Sequence, residues 1–257
     1  MFKFILPLML LASAAIAENK FITLRTDNML LLQGEISAPA VFELEERFTK
    51  LVNGRKAGEP LYIVIDSPGG DIRAGNEFIE FAKTVKNVHT ISLFAASMAS
   101  AIVESLPGQR YIAENGTLMF HRAAGGFEGQ FEDGEVESRL SYAKAIVRSM
   151  EQRNADRMCS SLADYKAKVK NEYWLYGKNA VEEKAADALV DLQCSQQLLD
   201  TKITQQVTIM GLFEVQVESS GCPLIHGMKL VKGNEEEAKA LATYMRTYRD
   251  SGYFKLK

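Results

Sequence analysis

The chain has 257 residues, 47% of them hydrophobic, with 30 basic against 33 acidic side chains and a formal net charge of −3. That length carries one large domain with an appendage, and the apolar share is ample for a core. The mildly acidic balance contains no basic stripe, which excludes nucleic acid as the expected partner.

At the start, Met1-Phe2-Lys3 precedes an apolar run from Phe4 to Ala12, and Ala15-Ile16-Ala17 precedes the polar Glu18-Asn19-Lys20. The pattern reads as a secretory signal peptide over residues 1–17 with an Ala-x-Ala cleavage site. A buried N-terminal helix or a membrane anchor is the alternative, but the run is short of the ~20 residues that span a bilayer. Removing Lys3 with the leader takes the net charge from −3 to −4. The expected location is periplasmic or secreted.

From Phe21 to Gln33 the apolar residues suggest a strand pair, and Val41 to Val52 repeats them at helical spacing. Leu61-Tyr62-Ile63-Val64-Ile65 is a continuous β-branched and aromatic run, expected as a buried strand that enters a turn at Pro68-Gly69-Gly70. Helical periodicity returns over Ala74 to Thr84, and Val88 to Leu93 is again strand-like. This β-α-β-α alternation predicts an α/β fold with a parallel sheet. Arg110 to Ala113 and Thr117 to His121 read as two short strands separated by an Asn115-Gly116 turn. A long helix is expected from Glu132 to Asn154 and another over Ser161 to Lys170. A hairpin is expected within Gln205 to Val217 and a last helix over Glu235 to Arg249.

Three cysteines, Cys159, Cys194 and Cys222, fall late in the chain without the CxxC spacing of a zinc site. In an oxidising compartment one disulfide is expected, with one thiol left over. All three pairings are open, as is the reading in which every thiol is unpaired. A Cys194–Cys222 bond would tie a C-terminal extension to the main domain.

The most informative stretch is Phe94-Ala95-Ala96-Ser97-Met98-Ala99-Ser100, with Asp66-Ser67-Pro68-Gly69-Gly70-Asp71 before it and His121 after it. A serine that follows a strand and opens a helix sits beside unpaired N–H groups at the positive end of the helix dipole. Small neighbours let a substrate carbonyl approach, and Gly69 and Gly70 can turn N–H groups toward the same point. Ser100 is a rival nucleophile, and a serine capping a helix is commonly structural.

These residues resemble the ClpP family, the proteolytic subunit of the Clp protease within the crotonase-like superfamily. Asp66 to Gly70 matches its Ser-Pro-Gly-Gly turn, Ala95 to Met98 its Ala-Ala-Ser-Met nucleophile turn, and Met119 to Gly126 its Met-x-His with a Gly-Gly loop. The similarity runs from about Leu30 to Asp191. It implies a ClpP/crotonase-like fold of repeated β-β-α units with a long handle helix, and a serine peptidase domain over 18–194 followed by an extension over 195–257. It also implies Ser97 as nucleophile, His121 as general base, and the N–H groups of Gly70 and Met98 as oxyanion hole, with no cofactor and no metal. Rings built through the handle helix, where Ile146, Val147 and Met150 lie among charges, are the implied assembly.

Two departures stand out. The family's aspartate before an aromatic-Leu pair is replaced by Glu172 in Asn171-Glu172-Tyr173-Trp174-Leu175, with Asp164 or Asn171 as alternative acids and an apparent insertion of about four residues before Asp191. Replacing Glu172 with alanine is expected to slow acylation sharply. The second departure is the exported setting and the absence of a Gly-x-x-x-x-Gly-Lys-Ser/Thr loop, which lead to the expectation of peptides or unfolded chains as substrates and no ATPase partner. The readings carried forward are an ATP-independent serine peptidase, with a variant using Lys144 as base; a non-catalytic oligomeric scaffold or peptide-binding relative with a decayed triad; and a CoA-thioester enzyme of the crotonase superfamily.

Overall fold

The computed structural model describes residues 20–56, 58–124, 132, 134–209 and 213–251. The leader, the glycines at 125 and 126 and the segment that follows them lie outside the described residues.

Strand β1 (Lys20–Leu24) leads through residues 25–28 into β2 (Met29–Ile36). Helix α1 (Ala38–Gly54) is capped by Ser37, whose Oγ accepts from Ala40 N–H at 3.4 Å, and it buries Val41, Leu44 and Phe48 along one stripe. After β3 (Leu61–Gly70) comes α2 (Ile72–Ala82), capped by Asp71 Oδ1 accepting from Ala74 N–H at 2.8 Å. Strand β4 (Val88–Ala96), helix α3 (Met98–Ser105) and strand β5 (Arg110–Phe120) complete the alternation expected from the sequence. The long α4 (Glu135–Arg157) and α5 (Leu162–Lys168) follow, then β6 (Tyr173–Tyr176), α6 (Lys178–Glu182) and β7 (Ala188–Cys194).

The principal sheet has the order β1-β7-β5-β4-β3-β2, parallel throughout, with β6 added antiparallel on β5. The expected pairing of the first two strands with each other is therefore corrected: they occupy opposite edges. Five inter-strand steps of a flat sheet would separate them by roughly 24 Å, and the chain from Leu24 to Met29 reaches at most roughly 18 Å. The sheet must curl. Its two faces bury different residues of the same strand: Leu61, Ile63 and Ile65 of β3 pack under α1, α2 and α3, while Tyr62 and Val64 join Ile22, Leu24, Ile91, Tyr111 and Val190 on the other side. Burial on both faces is why Leu61 to Ile65 is apolar without alternation.

Two further expectations are corrected. Asp66 to Gly70 is a continuation of β3 rather than a turn, with the ladder irregular against β4 between Ile65 and Asp66. Arg110 to Phe120 is a single strand. Its pairing with β4 shifts between Ser92 and Phe94, and the Asn115-Gly116 pair lies within that strand, where a Cβ on Gly116 would stand 2.5 Å from Ser92 O. One edge of β5 is consequently shared: Tyr111 to Ala113 pair with β7, and Thr117 to Phe120 with β6.

A buried ion network fixes the start of β5. Arg110, 4% exposed, donates from Nη1 to Glu104 at the end of α3 and from Nη2 to Asp187 Oδ1 at 2.6 Å. Burial pushes the Glu104 carboxyl up to about 8, against the pull of Arg110 and Arg157. Burial also acts to raise Asp187, but the hydrogen bonds from Arg110 prevail and hold it below the usual carboxylate range.

Beyond β7, α7 (Gln196–Asp200) leads to a separate antiparallel sheet of β8 (Lys202–Ile209), β9 (Phe213–Ser220) and β10 (Met228–Lys232), in the order β10-β9-β8. Helix α8 (Glu235–Ser251) covers it over a small core of Val215, Val217 and Leu241. A disulfide joins Cys194 to Cys222, and Cys159 is free and exposed. Leu198 and Cys222 are buried among the residues of the second face of the principal sheet.

Candidate active site

Ser97 stands alone between β4 and α3, and its backbone has φ 57° and ψ −120°, a conformation non-glycine residues rarely adopt. The turn is held from below. Ser97 N–H donates to Met119 O at 2.8 Å, and Ser100 Oγ lies 2.7 Å from Ser97 O and 2.8 Å from Met119 O. Ser100 is wholly buried, so the rival nucleophile serves as a brace between α3 and β5. Ser97 Oγ makes no capping bond to its own helix. It lies 2.7 Å from Nε2 of His121, the residue that follows β5. In the Nδ1–H tautomer of the ring, the hydroxyl donates to Nε2, the arrangement a general base requires.

The glycines stand on the other side of the serine. Gly69 has φ +94°, and a Cβ on it would lie 2.6 Å from Ala96 O, 2.8 Å from Met98 N and 2.8 Å from Ser97 Cβ. Gly70 has φ +145°, and its Cβ would lie 2.2 Å from Ile36 O. Gly69 N–H donates to Ser67 Oγ at 3.1 Å, and Asp71 N–H to Ile36 O at 2.8 Å. Between these two committed groups lies the Gly70 N–H, on the peptide that runs beside Met98 N. Met98 is the first residue of α3, where an N–H has no partner inside the helix. Ser67, a residue not singled out in the sequence, is fully buried, and its hydroxyl also donates to Gly34 O at 2.6 Å. The serine of Ser-Pro-Gly-Gly was legible only as part of a turn; its work is to fix the bulge that brings the glycines to the site.

Glu172 also has positive φ, 70°, although it is not glycine. The antiparallel register Phe120↔Tyr173, continued by one residue, sets Glu172 across from His121. Its carboxylate, however, accepts from Trp174 Nε1 at 2.9 Å, and Trp174 itself packs on Phe94, with ring centroids 6.4 Å apart. Among the described residues no carboxylate is bonded to His121. Asp164 is engaged with Ser161 Oγ at 2.6 Å as part of its own helix cap, Asn171 is exposed, and Lys144 is exposed on α4. The structure thus brings Ser97 and His121 together, sets Gly69, the neighbour of Gly70, against Ser97 and Met98 N, and leaves Glu172 adjacent in backbone with its side chain turned aside. Among the described residues, no group of three or more His, Cys, Asp or Glu side chains could hold a metal ion.

A narrow pocket opens beside Ser97 and His121, with Ile72, Met98, Phe120 and Met150 among its walls. Gly75 makes room for the Met98 side chain, since a Cβ there would lie 2.5 Å from Met98 Cγ. The arrangement offers a hydroxyl next to an imidazole, a helix N-terminus beside the glycine pair, and a partly apolar slot, parts that suit acyl transfer.

A family profile described as Clp protease matches residues 18–192, well over half of the sequence. A mostly parallel, curled sheet with a serine at a strand-to-helix turn, taken with that match, assigns the chain to the Clp protease family of serine peptidases.

Proposed function

We propose that the protein is an exported, ATP-independent serine endopeptidase that cleaves peptides or unfolded chains through an acyl-enzyme. The observation that carries this reading is the 2.7 Å contact between Ser97 Oγ and His121 Nε2 at the mouth of a pocket. In the proposed cycle His121 takes the Ser97 proton as Oγ attacks the scissile carbonyl. The N–H groups of Gly70 and Met98 receive the oxyanion, His121 returns the proton to the leaving amine, and water then hydrolyses the ester. Glu172 is the proposed third member, turning from Trp174 to His121 to steady the imidazolium. Export is supported by the N-terminal leader pattern and by the Cys194–Cys222 bond, which persists in oxidising compartments.

A fluorophosphonate probe on the purified protein, with the adduct mapped by mass spectrometry, tests the reading. Labelling is expected at Ser97, abolished in Ser97→Ala and slowed about 10⁴-fold in His121→Ala. Trp174→Phe, which removes the donor competing for Glu172, is expected to raise the labelling rate about fivefold, the worth of one net hydrogen bond. A fall would mean that Trp174 steers the carboxylate toward the ring instead. The second reading, a scaffold with a decayed triad, is favoured by the Glu172–Trp174 bond alone. Absence of labelling under conditions that modify a control serine hydrolase would establish it.

Assembly into rings is part of the same proposal. Of the 23 residues of α4, only Met150, Asn154 and Ala155 are buried, whereas Val136, Leu140 and Tyr142 are exposed. A helix with apolar side chains left open over its first half suits a surface shared with another copy of the chain. Mass photometry should show particles of many times the chain mass, and a monomer in dilute solution would remove the chamber from the proposal.

A further inference from the structure

The slot beside Ser97 has apolar walls with a polar pair set among them. Asn154 of α4 and Tyr165 of α5 both line it, each 2% exposed, and Asn154 Nδ2 donates to the Tyr165 hydroxyl at 2.9 Å. Among the described residues Asn154 Oδ1 is buried with no hydrogen-bond partner, and the phenol proton is left uncommitted by that contact. Turning the amide over would change the labels without changing the outcome: the phenol would then donate to Oδ1, leaving an Nδ2–H and a phenol lone pair. Either way at least one donor and one acceptor of the pair remain uncommitted in the lining of the slot. Burial lifts the Tyr165 hydroxyl to about 12, so it keeps its proton at neutral pH.

We propose that Asn154 and Tyr165 close the S1 subsite and select a primary carboxamide, glutamine ahead of asparagine, on the acyl side of the scissile bond. The proposal rests on the peptidase reading above. A carboxamide presents one acceptor and a donor pair, the complement of what Asn154 and Tyr165 leave over. The two methylenes of glutamine suit walls made by Met98 and Met150. Among the described residues that line the slot the one carboxylate, Glu151, pairs with Lys166 Nζ at 3.0 Å, which disfavours a cationic tip. An apolar side chain such as methionine fits the walls but strips water from Asn154 Oδ1 and the phenol without replacing its hydrogen bonds. A site built to bond a polar group discriminates most strongly against a partner that lacks it.

The test uses the full protein and peptidyl aryl phosphonates that differ only at the P1 residue, Gln, Met, Lys or Ala, together with a small alkyl fluorophosphonate. Rates of Ser97 modification are measured, and each peptide rate is divided by the alkyl rate of the same variant. Glutamine is expected to exceed methionine by about tenfold or more in the parent, the effect of one to two hydrogen bonds. Tyr165→Phe and Asn154→Leu should bring that ratio near or below one. Should Asn154→Leu fail to fold, Tyr165→Phe, which deletes a single oxygen, decides the matter. Equal or faster modification by the methionine, lysine or alanine probe in the parent overturns the inference, as does a glutamine preference that survives Tyr165→Phe. If the alkyl probe itself leaves Ser97 unmodified, the peptidase reading fails and this one with it.

Discussion

Gly69→Ala is expected to slow acylation of Ser97 by about 10²-fold or more, measured as fluorophosphonate labelling rate, while leaving the protein folded by circular dichroism. The added methyl has nowhere to go. It would meet Ala96 O at 2.6 Å and Met98 N and Ser97 Cβ each at 2.8 Å, separations shorter than carbon tolerates against backbone. Relief requires β3 and the Ser97 turn to move apart by several tenths of an ångström, and φ +94° adds strain for any side chain. That separation displaces the two N–H groups proposed to receive the oxyanion, where small errors of position are costly. Ser100 holds the other side of the turn to Met119, so the serine cannot retreat as a unit. A labelling rate unchanged from the parent would show that these N–H groups do not act on the acyl centre.

Above the value of about 8 to which burial pushes the Glu104 carboxyl, where that group is ionised, Arg110→Ala is expected to destabilise the protein by about 3–5 kcal/mol, as removing one partner of a buried ion pair does, read as a fall in the denaturant midpoint with the slope preserved. Among the described residues Arg110 alone bonds both Glu104 and Asp187, and it joins the end of α3 to the approach of β7. Its loss leaves Glu104, 3% exposed, without its guanidinium, while Asp187 keeps Arg157 at 3.9 Å. A change below about 1 kcal/mol would mean that burial has already neutralised Glu104 and that the network carries little of the stability.

The alternation of strands and helices was readable because each element buries a face with its own period, as Val41, Leu44 and Phe48 do in α1. Partners were not readable. Nothing local in Phe21 to Gln33 says that Lys20 pairs with Val190 while Met29 pairs with Tyr62, because a strand's apolar pattern names its buried face and not its neighbour. Pro68-Gly69-Gly70 and Asn115-Gly116 misled for one reason: both are turn-forming sequences that here distort a strand without ending it, the glycines admitting the backbone of a neighbouring strand.

At the site, Ser97 and His121 were legible from spacing, and Glu172 only as a backbone position. The direction of its side chain depends on Trp174, two residues on, whose donor no periodicity announces. Asn154 and Tyr165 were missed for a different reason. One lies in the last turn of a helix otherwise rich in charge and the other in the middle of a short helix, and only the packing of α4 against α5 turns them inward to the same slot.

The β1–β7 pairing bears on the order in which the molecule assembles. Lys20 to Leu24 leave the ribosome early, yet their ladder partners, Val190 to Cys194, lie 170 residues downstream. Until those residues exist, β1 is an unpaired edge, and the curl that encloses Tyr62, Ile91 and Tyr111 cannot close. Contacts of such sequence separation form slowly, because the intervening chain must be ordered first. Closure of the principal sheet therefore waits on residues 190–194, and β1, first in sequence among its described strands, is among the last to be paired.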